Sequence, residues 1–115
     1  LICRAASGRC ERVPVEGTWL GVIPEIGAAT VQTSRTLDPG DLLVLYTDGL
    51  TEARAPHGEV FGLDRVTALV EAHATRSVTE IRDQVLAAVD AWGGAELDDD
   101  RTLMVLRHVG VADPR

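Results

Sequence analysis

Asp38-Pro39-Gly40-Asp41-Leu42-Leu43-Val44-Leu45-Tyr46-Thr47-Asp48-Gly49 is the stretch on which the fold turns. Proline presets the backbone angle at the second position of a tight turn and glycine accepts the positive angle at the third, so Asp38-Pro39-Gly40-Asp41 reads as a turn. The run that follows it, through Thr47, is apolar on both faces of a period-two pattern, which predicts a central strand covered above and below. Asp48-Gly49 then stops it. Upstream, residues 29–37 place Val31, Thr33, Arg35 and Leu37 on one side at period two, so the turn is expected to join two arms of a hairpin. Further back, residues 1–15 alternate loosely about Ala6-Ser7-Gly8, which predicts another hairpin, with Pro14 keeping its second arm near an edge. A glycine-bracketed loop, Gly17-Thr18-Trp19-Leu20-Gly21, lies between the two.

Downstream the period changes from two to 3.6. Leu63, Val66, Leu69 and Val70 share one stripe of a predicted helix over residues 63–74. Ser77-Val78-Thr79-Glu80 has the form of a capping box, in which the Ser77 hydroxyl accepts from the Glu80 amide and the Glu80 carboxylate reaches back. Ile81, Val85, Ala88, Val89 and Trp92 would line the inner face of the helix it opens, ending at Gly93-Gly94. Residues 102–109 form a last apolar strand, reached from the acidic loop that holds Asp98-Asp99-Asp100. Strands, two helices and a strand, without regular β-α alternation, argue for an α+β fold with mainly antiparallel sheet and the helices packed as a layer.

The 115 residues suffice for one domain, 45% of them apolar and 25% charged, which excludes a disordered tail or a fibre. No apolar stretch approaches the ~20 residues of a membrane span, so a soluble, cytoplasmic protein is expected. A net charge of -7, with no arginine cluster interleaved with aromatics, leaves out the electrostatic footprint of a nucleic-acid binder. All eleven basic residues are arginine and asparagine is absent, the bias of a GC-rich genome. Cys3 and Cys10 could face each other across the first hairpin; two cysteines make no disulfide framework, and the expectation is that both are reduced.

The chemistry lies in the acids. Asp48 closes the central strand and Asp99 opens the last one, so if these strands are antiparallel neighbours their carboxylates meet at one edge of the sheet. Carboxylates brought together repel unless they share a proton or a cation. Oxygen donors without histidine or cysteine select hard ions, Mg²⁺ or Mn²⁺ rather than Zn²⁺. Two such ions can bind phosphoryl oxygens and activate a water for in-line attack on phosphorus. Asp-Gly is also a common turn dipeptide, and an acidic run before a strand is commonly a solvated loop. His57, His73 and His108 share no geometry that points to a catalytic pair, and Trp19 and Trp92 read as packing residues, Trp92 anchoring its helix on the sheet.

Taken together, Leu37-Asp38-Pro39-Gly40-Asp41, Tyr46-Thr47-Asp48-Gly49-Leu50-Thr51-Glu52-Ala53, Phe61-Gly62-Leu63 and Asp99-Asp100-Arg101-Thr102-Leu103 resemble the type 2C metal-dependent protein phosphatases, in their bacterial SpoIIE/RsbU branch. The Gly17–Gly21 loop is similar as well, so the resemblance covers nearly the whole chain. It implies the C-terminal portion of a four-layer α-β-β-α sandwich of antiparallel sheets, with residues 1–115 as one domain that lacks its N-terminal part. It also implies a dinuclear Mn²⁺ or Mg²⁺ centre in which Asp48 and Asp99 are metal ligands. Asp98 and Asp100 are expected to act as outer or solvated acids, and Glu52 either to orient a metal-bound water or to sit at a helix start. The substrate class implied is a serine/threonine phosphoprotein of the anti-anti-sigma factor type.

Two departures from the family pattern stand out. The glycine-glycine-aspartate motif that supplies the bridging ligand would lie upstream of Leu1, so the 115 residues alone are expected to be catalytically incomplete. Arg101 stands where the family usually has an apolar residue, which puts the local strand pairing in question. The alternative reading is a non-catalytic phosphatase-like module that binds a partner.

Overall fold

The strand Leu42–Tyr46, here β3, lies inside a four-stranded antiparallel sheet of order β2-β1-β3-β4. Its companions are β1 (Ile2–Arg4), β2 (Arg9–Glu11) and β4 (Leu103–Arg107). The computed structural model describes residues 1–13, 34–93 and 101–110. Three helices follow β3 in the chain: the short α1 (Asp48–Thr51), α2 (Leu63–Ala72) and α3 (Val78–Gly93). The architecture is α+β.

β4 pairs with β3 along its full length, from Leu42 against Arg107 to Tyr46 against Leu103. Arg101 therefore does not disturb the pairing; its guanidinium turns aside to Asp90 of α3. The other edge of β3 is taken by β1, with Ile2 opposite Leu43 and Cys3 opposite Leu42. This corrects the hairpin expected across the Asp38–Asp41 turn. Residues 34–37 are not strand, and 29–33 lie outside the described residues. β3 has two hydrogen-bonding edges, and β1 and β4 occupy them. The turn itself forms as expected, with Gly40 at φ +92° and the Asp41 amide donating to the Asp38 carbonyl at 2.9 Å.

Alternation sorts the sheet into two faces. Leu42 and Val44 are buried on one side, against Val66 and Val70 of α2 and Ile81, Val85 and Val89 of α3, each of these five fully enclosed. Both helical stripes were legible as periodicity. Leu45, Met104 and Leu106 point the other way and remain 43–51% exposed, with Leu45 opposite Met104 and Leu43 opposite Leu106. Among the described residues, the sheet is thus covered by helices on one face only. The described residues supply one helical layer and one sheet of the sandwich that the resemblance implies.

The Ser77 hydroxyl accepts from the Glu80 amide at 3.2 Å, one half of the expected capping box. The Glu80 carboxylate is taken instead by Arg76 at 3.2 Å, one helical turn back. Trp92 anchors α3 to the 54–60 loop rather than to the sheet. Its Nε1 donates to the Glu59 carbonyl at 2.9 Å, its ring meets Phe61 edge-on, and the Arg65 guanidinium lies over it at 4.1 Å.

The first hairpin forms as expected, but its cysteines are joined: Cys3 and Cys10 form a disulfide. The expectation of two reduced thiols is corrected by register. Cys3 stands directly opposite Cys10, and the Cys10 amide points outward to Glu71 of α2 at 2.9 Å, so the two form the closely spaced, non-hydrogen-bonded kind of cross-strand pair. The Glu71 carboxylate also covers the exposed edge of β2. Closing so short a loop removes freedom from the unfolded chain, and reduction by a dithiol is expected to lower stability by roughly 2–3 kcal/mol. Thermal midpoints measured with and without reductant check this; equal midpoints would show that strand pairing alone holds the hairpin.

At the end of the sheet remote from Asp48, Asp41 is the one buried charged residue among those described, 2% exposed. Its carboxylate accepts from the amides of Ala5 (2.8 Å) and Asp38 (2.9 Å) and from the Arg4 guanidinium (3.0 Å). The Ala5 and Asp38 amides, with Arg4, hold its carboxyl below the usual aspartate range. A carboxyl shifted down in this way binds its proton more readily when the chain unfolds. Its contribution is therefore complete above the ordinary aspartate range and is lost as pH falls through the lowered folded value.

Candidate functional site

Sequence and sheet geometry place Asp48 where β3 gives way to helix. Thr47 is the N-cap in extended conformation, with Leu50 donating to its carbonyl at 3.0 Å and the Glu52 amide to the Asp48 carbonyl at 2.8 Å. The turn is pinned from below by Leu50 and Ala53, which enter the core, while Asp48 itself stays exposed. Among the described residues, no hydrogen bond or ion pair engages the Asp48 carboxylate. It is an oxygen donor at the end of a paired strand, without a partner among the described residues.

Opposite it, the chain arrives at β4. The Thr102 amide donates to the Thr47 hydroxyl at 2.9 Å, and the Thr47 amide donates to the Thr102 carbonyl at 3.1 Å. This two-way clasp sets Thr102 beside the residue that precedes Asp48. The antiparallel adjacency on which convergence of the two acidic motifs depends is therefore present. Asp98, Asp99 and Asp100 lie outside the described residues. Among the described residues there is no group of three or more histidine, cysteine or acidic side chains that could hold a metal ion. Of the described residues at this edge, Asp48 contributes one oxygen donor of the kind a hard divalent cation takes, an exposed carboxylate with no nitrogen or sulfur donor in its own turn.

Glu52 sits at the C-cap of α1 and is exposed, so the expectation that it starts a helix is corrected; α1 begins at Asp48 and is only four residues long. The histidines occupy three unrelated settings. His57 bonds Glu59 at 3.1 Å, the Nδ1 of His73 meets the Leu69 carbonyl at 2.8 Å, and His108 exchanges backbone bonds with Gly40 and Asp41. Glu59 lies between His57 and Arg65, whose hydrogen bonds hold its carboxyl below the usual range. The role of Arg101 as a nearly buried cation beside the clasp, its side chain 10% exposed, was not legible in the sequence, because its partner Asp90 lies on a separate element.

An antiparallel four-stranded sheet with its helices on one face matches part of the PP2C phosphatase domain fold. The family model "Stage II sporulation protein E (SpoIIE)" matches residues 1–109, and the chain belongs to that family. It is similar to Protein IcfG of Synechocystis, 29% identical over 106 residues, which are 90% of this chain and 16% of that protein. It is also similar to the phosphoserine phosphatase RsbU of Bacillus subtilis, 34% identical over 77 residues, 67% of this chain and 23% of that one. Among solved structures, the SiaA-PP2C domain of Pseudomonas aeruginosa aligns with TM-score 0.61 and 29% identity over 71% of this chain and 35% of its own. The phosphatase domain of SpoIIE from Bacillus subtilis, presoaked with Mn, aligns with TM-score 0.68 and 24% identity over 99% of this chain and 47% of its own, a likeness of fold. The chain thus spans less than a quarter of either curated relative and about half of that solved domain. Among the described residues, no helix is long and apolar enough to cross a membrane.

Proposed function

We propose that this chain is the C-terminal part of a SpoIIE-type phosphatase domain that hydrolyses phosphoserine or phosphothreonine on a regulatory protein, with Asp48 and Asp99 as ligands to Mn²⁺ or Mg²⁺. The observation that carries the reading is the Thr47–Thr102 clasp, which brings the end of β3 and the start of β4 together at one sheet edge. Family membership and the likeness to a named phosphoserine phosphatase support the reaction class. An anti-anti-sigma type of substrate and a cytoplasmic location are part of this proposal, supported by the likeness to the RsbU phosphatase rather than by any residue described.

Divalent ions bound at this edge would supply charge neutralisation for the phosphoryl oxygens and a water of lowered pKa. The contribution of the chain is orientation. β3 and Leu50 fix the position of Asp48, its exposure leaves the carboxylate open to solvent and phosphoester, and the fully paired β3–β4 ladder keeps the site from spreading. With oxygen ligands only, the site is expected to follow hard-ion chemistry. The full-length protein should release phosphate from a phosphoserine peptide with Mn²⁺ or Mg²⁺ and lose that activity with a chelator. Equal rates with and without chelator would overturn the reading.

A further inference from the structure

The side chain of Arg101 bridges two parts of the fold that meet at the proposed site. Its Nη1 donates to Asp90 Oδ1 at 2.6 Å, and its Nη2 lies 3.5 Å from where a β-carbon on Gly93 would stand. The guanidinium thus lies along the last turn of α3. That turn contains no basic residue of its own and carries the acidic Asp90, an unfavourable charge at the negative end of a helix dipole. Arg101 supplies the missing cation from across the chain. The very next residue, Thr102, makes both bonds of the clasp with Thr47, next to Asp48.

We propose that Arg101 is a positioning residue for the metal centre. By fastening the start of β4 to the end of α3, it fixes where that strand begins against Thr47, and with it the place from which the Asp48 carboxylate is offered to a divalent ion. This rests on the functional reading above. Asp90 is 67% exposed, so the ion pair itself contributes little, but the Arg101 side chain is 10% exposed and its stem packs, so a purely structural role predicts a lowered thermal midpoint with unchanged metal affinity. A positioning role predicts a change in metal affinity of the size seen when groups behind metal ligands are removed, roughly 10–100-fold.

The test uses the full-length protein, with Mn²⁺ binding followed by calorimetry and Mn²⁺ activation followed by phosphate release. Arg101→Leu is expected to raise the Mn²⁺ concentration for half-saturation by roughly 10–100-fold in both measurements, with turnover at saturating Mn²⁺ largely kept, whether or not the thermal midpoint also falls as the packing of the arginine stem is lost. The paired exchange Asp90→Arg with Arg101→Asp is expected to restore much of the affinity, which guards against a variant that merely misfolds. Unchanged Mn²⁺ affinity in Arg101→Leu, or a lowered midpoint with unchanged affinity, overturns the positioning role while the functional reading stands. A wild-type protein that binds no Mn²⁺ overturns both.

Discussion

Replacing Asp48→Asn in the full-length protein is expected to lower metal-dependent phosphate release by roughly 10³-fold or more, while leaving the fold intact. An ion at a phosphoryl-transfer site supplies several kcal/mol of transition-state stabilisation, and each ~1.4 kcal/mol is a factor of ten in rate. Asparagine keeps the size and one oxygen of the side chain but removes the charge that holds a hard cation. Among the described residues, nothing ties the fold to that charge. Asp48 is exposed, and its carboxylate has no partner among the described residues. The backbone bonds that shape its turn, from Leu50 and Glu52, do not involve its side chain. Thermal midpoint and activity should therefore separate, one level and the other collapsing. A variant that retained more than a tenth of the wild-type rate would remove Asp48 from the mechanism.

Leu50→Ala is expected to do the reverse, taking stability first and activity with it. Leu50 is fully buried, two residues from Asp48, in a helix of four residues that has no stability of its own. Truncating an enclosed leucine costs about 2–5 kcal/mol, depending on how far the site can collapse, a large share of the ~5–15 kcal/mol that holds a domain together. Because the same side chain anchors the turn that presents Asp48, the folded fraction that remains should also bind metal more weakly. Chemical denaturation of the variant checks the first part. A loss under about 1 kcal/mol would show that the α1 turn is held by its backbone bonds rather than by its leucine.

Much of this is legible in the sequence itself. Pro39-Gly40 announces its turn because both residues act through their own backbone angles, and the α2 and α3 stripes announce themselves because burial on a helix repeats every 3.6 residues. What the sequence conceals is choice among distant partners. Residues 34–37 have no place in the sheet because β1 and β4 fill both edges of β3, a competition that no local window contains. Cys3 and Cys10 share a register that depends on where the hairpin turns, and a one-residue slip would have put them on opposite faces. Asp41 looked like the last residue of a turn; its burial is caused by Arg4 and Ala5, more than thirty positions earlier. The α1 helix is too short to show any period. Of the candidate site, the strand end at Asp48 was predictable from Asp-Gly chemistry and strand length, and the neighbouring start of β4 from chain order. The Arg101–Asp90 link was not: in the sequence Arg101 only put the strand pairing in question, because its partner lies on a helix eleven residues back.

The outward row of Leu45, Met104 and Leu106 carries a practical corollary. Met104 is the single methionine in the chain and sits half-exposed at the middle of that row. Its thioether can be converted by peroxide to a sulfoxide only while oxidant can reach it. A chain with this sheet face bare should gain one oxygen atom readily, whereas one whose face is blanketed by another layer should resist. The residue is a built-in gauge of assembly, readable as a mass increment on one peptide.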